Sequence, residues 1–211
     1  MWVVPVVILL AAMSAQAGPV TLFSNFNSAP ANLYDDTAAY VISGPSSGLG
    51  QWGPAMAFTP SGTGAYVLTQ IDVGIGYSTP SEFDLTLYSD SGGVPGSVLA
   101  SWTDISATES FGSCCGLETV TPGTTIILAA GTQYWLLASA NADDPDAEAD
   151  WNMNNIGQTG PIWCSGCETE TDRQGAFDVL GDPTVPEPAS ASLAVCAFAL
   201  LGLIAKRRRR A

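Results

Sequence analysis

The sequence predicts an all-β domain between residues 18 and 182, folded as an antiparallel β-sandwich or jelly roll. Two observations support this prediction. Short stretches alternate apolar and polar side chains, as half-buried strands do, and no long stretch repeats its apolar residues at helical spacing. Segments rich in Gly, Pro, Ser and Asp separate these stretches, as turns do in β-sandwiches.

The clearest predicted strand contains Phe83, Leu85 and Leu87, which share one face. Residues 67 to 75 alternate in the same way, with Gly74 interrupting them. Trp135 follows the alternation of its own stretch and is therefore expected in the core. Further candidate strands are 55–59, 98–103, 125–129, 134–139 and 174–180, and residues 89–96 and 129–132 are predicted turns.

Charge is distributed very unevenly along the chain. Residues 18 to 184 contain 19 of the 20 acidic residues and a single basic residue, Arg173, for a net charge of −18. Such a surface repels nucleic acid and anionic lipid, so neither is an expected partner of this domain. The chain has no histidine, which excludes a Ser-His-Asp triad and imidazole metal ligands.

The N-terminus has the pattern of a secretory signal peptide over residues 1–17. An apolar run, residues 3 to 12, precedes Ala15 and Ala17, and Gly18 follows. Small side chains at these two positions fit signal peptidase, which predicts cleavage before Gly18. The alternatives are an N-terminal membrane anchor or a buried strand, because this segment contains no Lys or Arg.

The C-terminus has the pattern of a single transmembrane helix. Residues 189–205 are uncharged, and at 1.5 Å per residue they would reach about 26 Å, a short span. The basic tail, residues 206–211, follows at once and predicts a cytoplasmic C-terminus. The alternative is an amphipathic helix packed on the domain, although the segment has no polar face.

A short linker, residues 183–188, precedes this segment and ends in Val185, Pro186, Glu187 and Pro188. Proline–glutamate–proline followed by an apolar helix and an arginine cluster resembles the PEP-CTERM sorting signal. The resemblance implies recognition in the inner membrane and cleavage near the motif by an exosortase, in bacteria that make exopolysaccharide. The two prolines disfavour helix at Glu187, so we expect an extended peptide that a protease can bind.

Two internal segments are similar to segments of the choice-of-anchor exported domains. They are residues 83–88 with the following 93–96 and 98–100, and residues 128–136. The resemblance covers about residues 33 to 180 and implies an exported β domain with an interchangeable C-terminal anchor. It provides no catalytic residues.

Four cysteines lie in the predicted exported part, and a fifth, Cys196, lies in the apolar tail. An even number of cysteines in an oxidising compartment predicts disulfides. We expect two bridges between the region of Cys114 and Cys115 and the region of Cys164 and Cys167, because adjacent cysteines pair poorly. A zinc site with four thiolates is the alternative, since Cys164 and Cys167 have suitable spacing.

An acidic cluster follows residue 142. Spaced carboxylates on a loop can gather oxygen ligands for calcium, so the cluster is a candidate Ca²⁺ site, with a solvated acidic loop as the alternative. The cluster lacks the glycine and flanking helices of an EF-hand. Its members are Asp143, Asp144, Asp146, Glu148 and Asp150.

Trp151 and Trp163 are the candidate glycan contacts, because they are predicted to lie in loops rich in Asn and Gly, where an exposed indole can stack on a sugar ring. The alternative is that each closes one end of the sandwich. Residues 48–53, which contain Trp52, match G-x-G-x-x-G. No strand–helix unit surrounds them, so no dinucleotide site is expected.

Together these features predict a non-enzymatic surface or extracellular matrix protein associated with exopolysaccharide or biofilm. It would be exported, held transiently in the inner membrane, and then displayed or released. Its expected partners are signal peptidase and exosortase during processing, and exopolysaccharide afterwards. The alternative is a carbohydrate-binding module that uses loop aromatics and Ca²⁺. A hydrolase with two carboxylates is a third hypothesis.

Overall fold

The structure, a computed structural model, describes residues 18–164 and 168–184. All of its strands lie in one unit, Pro19–Thr184. A single 3-10 turn, Pro30–Asn32, accompanies them. The strands are β1 (Val20–Ser24), β2 (Asp35–Ser43), β3 (Pro54–Phe58), β4 (Ala65–Val73), β5 (Ile75–Tyr77), β6 (Glu82–Asp90), β7 (Pro95–Ser106), β8 (Glu118–Val120), β9 (Ile127–Ala129), β10 (Tyr134–Ala140), β11 (Glu148–Met153), β12 (Thr159–Cys164), β13 (Glu170–Arg173) and β14 (Phe177–Pro183).

The strands form three sheets. The first has the order β1-β14-β4-β8, with β9 also paired to β4. The second has the order β13-β12-β3-β10-β6-β7, and the third has the order β2-β11-β5. Every pairing between these strands is antiparallel. The predicted all-β class is therefore confirmed, and the described residues contain no α-helix.

One hydrophobic core receives side chains from all three sheets. In β6 the predicted alternation is observed: Phe83, Leu85 and Leu87 are fully buried, while the residues between them are half-buried. Each such side chain contributes about 1.5–3 kcal/mol by burial. Trp135 is also fully buried, as predicted, in a smaller cluster with Ala55 and Ala57.

An aromatic group lies at the centre of the core. Phe177 on β14 stacks on Phe23, with ring centroids 4.7 Å apart, and meets Phe58 edge-on at 5.9 Å. Trp151 on β11 also meets Phe177 edge-on, at 5.8 Å. These contacts join side chains from all three sheets, so the group connects β1, β3, β11 and β14 across the core.

The predicted turn after β6 is confirmed. Gly92 and Gly93 have positive φ angles, which glycine adopts without steric cost. The Asp90 carboxylate accepts hydrogen bonds from Trp135 Nε1 at 2.7 Å and from Gly93 N at 3.2 Å. The bond from Trp135, followed by those from the turn, holds the pKa of Asp90 below its usual value. The carboxylate thus ties the turn to the neighbouring strand β10.

The predicted strand over residues 67 to 75 is two strands in different sheets. Gly74 separates β4 from β5, and a Cβ placed there would lie 2.6 Å from Tyr34 Cδ1. A side chain at position 74 would therefore clash with the buried ring of Tyr34. Six strands were not predicted from the sequence, namely β1, β2, β8, β11, β12 and β13.

Candidate functional site

A cavity of about 480 Å³ opens at the edge of the domain where β2 faces β12 and β13. The connection between β2 and β3, residues 44–53, forms its rim. We call this cavity the Trp52 groove. Its lining is predominantly apolar, with one phenol and one carboxylate, and consists of Tyr40, Val41, Leu49, Trp52, Pro54, Ile162, Cys164 and Glu170.

Trp52 is the large aromatic side chain of this groove, and it is 45% exposed. Its backbone forms a two-bond bridge with Ser43, each bond 3.0 Å long. Its indole Nε1 donates to the carbonyl of Leu49 at 3.2 Å, and Ser43 Oγ donates to the carbonyl of Gly50 at 2.5 Å. These bonds fix the indole in place while leaving its face accessible, and Leu49 beside it is 54% exposed.

The opposite wall carries the polar groups. Tyr40 on β2 donates its hydroxyl to the carbonyl of Arg173 at 2.9 Å, which ties β2 to β13. Burial, followed by the nearby carboxylates of Asp172 and Glu170, raises the pKa of Tyr40 well above its usual value. The phenol is therefore neutral at any physiological pH. Glu170 is exposed at the groove.

The nearest cation is already engaged. Arg173 Nη1 lies 2.8 Å from Asp35 Oδ2. Its Nε and Nη2 lie 3.2 Å and 3.1 Å from the sulfur of Met153. The bond from Thr37 is the largest effect that holds the pKa of Asp35 below its usual value, and Arg173 adds to it. Because this guanidinium faces Asp35 and Met153, no ion pair between it and Glu170 is found among the described residues.

The structure contradicts the expectation that Trp151 contacts a glycan. Trp151 is fully buried on β11, with its Nε1 donating to the carbonyl of Ala176 at 3.0 Å. It therefore belongs to the core. Trp163 is half-buried on β12 and packs beside the cluster of Trp135, Ala55 and Ala57. Trp163 does not line the Trp52 groove, and both residues lie on strands instead of the predicted loops.

Sequence reasoning did not select Trp52 as a contact residue, although one signal was present. Residues 44–53 are rich in Gly, Ser and Pro, and Trp52 is the single large aromatic residue among them. The match of residues 48–53 to G-x-G-x-x-G lies in this connection between two strands, not before a helix. Gly50 has a φ of 78°, so the glycines of this segment allow the chain to turn.

The predicted calcium ligands do not come together. Glu148 and Asp150 lie on β11, whereas Asp143, Asp144 and Asp146 lie in the connection before it. Asp150 is buried and accepts a hydrogen bond from Ser78 at 2.5 Å, and burial raises its pKa. Within residues 18–164 and 168–184, no three acidic or sulfur side chains converge as metal ligands. Carboxylates that are neighbours in the sequence are thus divided between a strand and the connection that precedes it.

The expected disulfides between the two cysteine regions are also contradicted. Cys114 pairs with its neighbour Cys115 across a cis peptide bond, with Cα atoms 3.1 Å apart. Cys164 is itself disulfide-bonded, so none of these three is a free thiolate for zinc. The prediction failed because it rejected the adjacent pair, on the ground that neighbouring cysteines pair poorly. Cys167 lies outside the described residues.

Both terminal signals lie outside the described residues. These are the signal peptide with Ala15 and Ala17, the motif from Val185 to Pro188, and the predicted helix 189–205 with its basic tail. In the part of the chain that is described, no helix has the length and hydropathy needed to cross a membrane.

Comparison with known proteins gives a distant structural similarity. No protein-family model matches the chain, and no curated protein matches it. The chain is similar to the crystal structure of the cysteine protease and lectin-like domains of Cwp84, a surface layer associated protein of Clostridium difficile, with a TM-score of 0.45 and 13% sequence identity. The match covers 63% of this chain and 32% of that one, so this chain spans about a third of that structure. A similarity this distant assigns no ligand or activity.

Proposed function

We propose that this protein is an exported, non-enzymatic surface protein whose β domain binds a carbohydrate chain in the Trp52 groove. The observation that carries the proposal is the groove itself, where a fixed and exposed indole lies beside apolar side chains and a few polar groups. Carbohydrates offer an apolar ring face with polar edges, which matches an indole flanked by hydrogen-bonding groups. The volume of about 480 Å³ falls within the range of small-ligand pockets.

The rigidity of the groove supports the same function. Trp52 is fixed by its bridge to Ser43 and by its bond to Leu49, and Tyr40 is fixed by its bond to Arg173. Side chains that are already ordered lose little conformational freedom when a ligand binds. A site built in this way can bind a flexible polysaccharide with little loss of its own conformational entropy.

The composition of the groove favours binding over hydrolysis. Glycosidases of the common type need two carboxyl groups on either side of the scissile bond. Among the described residues that line the groove, Glu170 alone is acidic. We therefore propose a binding module and not a hydrolase, with exopolysaccharide as the partner.

We expect Trp52→Ala to weaken glycan binding by about thirtyfold or more, because truncating a central tryptophan typically costs about 2 kcal/mol. The measurement is calorimetry or affinity electrophoresis of the purified protein with the exopolysaccharide of the producing cell, in Ca²⁺ and again in EDTA. The matched control is Trp163→Ala, which removes the same side chain outside the groove. We expect EDTA to have no effect and the oligosaccharides to be recovered uncleaved.

Equal loss of affinity in Trp52→Ala and Trp163→Ala would contradict the assignment of the groove. Loss of affinity in EDTA would restore a calcium-dependent site. Release of shorter oligosaccharides during incubation would instead indicate an enzyme.

The proposed cellular route relies on the terminal signals. The disulfide between Cys114 and Cys115 and the one at Cys164 suit an oxidising compartment outside the cytoplasm. We propose that signal peptidase cleaves before Gly18 and that an exosortase then cleaves near the PEP-CTERM motif. Between these two steps, residues 189–205 would hold the chain in the inner membrane, and the β domain would then reach the cell surface or the medium.

We expect the protein isolated from the producing cell to begin at Gly18 and to end near Pro188. Intact mass spectrometry of the surface and medium fractions measures both ends. Glu187→Ala is expected to retain the chain in the membrane fraction with its basic tail intact, because the motif would no longer be recognised. A full-length chain recovered from the cytoplasm would contradict the proposed route.

A further inference from the structure

We infer that the Trp52 groove selects glycans that carry amino sugars and rejects glycans of uronic acids. This inference rests on the proposed function and specifies its ligand class. It follows from the sign and placement of the charges at the groove, which the shape of the cavity alone does not determine.

Glu170 gives the groove its local charge. The side chain is exposed, lies at the N-terminal end of β13 and lines the same cavity as Trp52. Asp172, also on β13, is exposed and close enough to raise the pKa of Tyr40. A ligand whose ring stacks on Trp52 therefore meets the Glu170 carboxylate in the groove, with the Asp172 carboxylate nearby, and a protonated amine is the sugar substituent that complements this charge.

The single cation among the described residues is near these carboxylates but is paired with another carboxyl group. Arg173 is the single basic residue between residues 18 and 184, and its guanidinium faces Asp35 at 2.8 Å. A uronate carboxylate entering the groove would approach Glu170, and residues 18–164 and 168–184 offer it no unpaired arginine or lysine. Unpaired like charges are unfavourable, so acidic polysaccharides are disfavoured at contact distance.

The charge of the whole domain acts in the same direction over a longer range. Residues 18 to 184 have a net charge of −18, which attracts cationic polymers and repels anionic ones within about a Debye length. Local and long-range electrostatics therefore favour the same ligand class, while the indole provides a surface on which a sugar ring can stack.

The test compares three hexasaccharides with the purified protein: a glucosamine oligomer, its N-acetylated form and a galacturonate oligomer. At a pH where the amine is protonated, we expect the glucosamine oligomer to bind most tightly, the neutral oligomer about three- to fivefold more weakly, and the galacturonate oligomer more weakly still. The advantage of the amine should shrink as NaCl rises from about 0.05 M to 0.5 M.

Glu170→Gln should remove most of the difference in affinity between the glucosamine and N-acetylated oligomers. Glu82→Gln is the matched control, because it removes the same charge from a residue outside the groove and should preserve the difference. This comparison separates the local role of Glu170 from the field of the whole domain.

The outcomes distinguish this inference from the proposed function. Equal affinity for the charged and neutral oligomers, or tightest binding of galacturonate, would overturn the amino-sugar preference while leaving glycan binding intact. Preference for the amine that Glu170→Gln does not change would overturn the role of the groove carboxylate. No binding of any oligomer would overturn the proposed function itself.

Discussion

Trp151→Ala is expected to lower the free energy of unfolding by about 3–5 kcal/mol, the usual range for removing a buried tryptophan. Trp151 has no exposed surface and lies edge-on to Phe177 at 5.8 Å. Its Nε1 also donates to the carbonyl of Ala176, which would lose its partner. In a domain of this size the loss corresponds to about 10 °C or more in the melting temperature.

The control is Trp52→Ala, the same chemical change at an exposed position, where we expect no more than about 0.5 kcal/mol. Urea unfolding of the two variants and the parent measures both effects. If Trp151→Ala does not fold, Trp151→Phe keeps most of the apolar volume and should unfold at a lower urea concentration than the parent. Unchanged stability of Trp151→Ala, combined with weakened glycan binding, would contradict the assignment of this residue to the core.

The contrast between these tryptophans shows where sequence reasoning succeeds and fails. β6 was predicted correctly because its buried residues alternate with residues of the other face, as a strand with one face in the core requires. In β11, by contrast, four consecutive residues from Ala149 to Asn152 are buried on both faces. Buried Asp150 and Asn152 make the segment resemble a polar loop, and the partner of Asp150, Ser78, is 72 residues away.

The groove could not be predicted for a related reason. Its walls are distant in the sequence, since Tyr40 bonds to Arg173 across 133 positions. Local patterns can place a tryptophan in a loop, and they do so for Trp52, but they cannot show that β12 and β13 face that loop. The negative charge of the domain, by contrast, can be read from the sequence alone, which contains 19 carboxylates and one arginine in this domain. The structure adds that Arg173 pairs with Asp35, which the sequence does not show.

A second large effect concerns a pair of carboxyl groups on neighbouring strands. Asp178 on β14 lies directly opposite Asp72 on β4. Asp72 is buried and accepts hydrogen bonds from Thr119 and, at 2.7 Å, from Gln70. Burial, followed by the proximity of Asp72, raises the pKa of Asp178 to about 7. At acidic and near-neutral pH, Asp178 therefore retains a proton that an unfolded chain would release.

The direction of the pH dependence follows from this pKa. Between the unfolded value of 3.8 and the folded value of about 7, the folded domain binds more protons than the unfolded chain. The stability due to this group is therefore complete below about pH 4 and is lost as the pH rises through 7. A pKa shift of this size corresponds to about 4 kcal/mol in the free energy of unfolding. Because Asp178 is partly exposed, solvent screening reduces this contribution to about half.

We therefore expect the domain to unfold more easily at pH 8 than at pH 5, by about 1 kcal/mol from this pair, because roughly two thirds of the interval between the unfolded and folded pKa values lies above pH 5. Asp178→Asn, which resembles the protonated form, should flatten that dependence and stabilise the domain at pH 8. Urea unfolding across this pH range measures the effect, with Asp146→Asn at an exposed position as the control. A parallel pH dependence in Asp178→Asn and the parent would show that the pair does not share a proton, and the loss of stability would then have to come from repulsion spread over the 19 carboxylates of the domain.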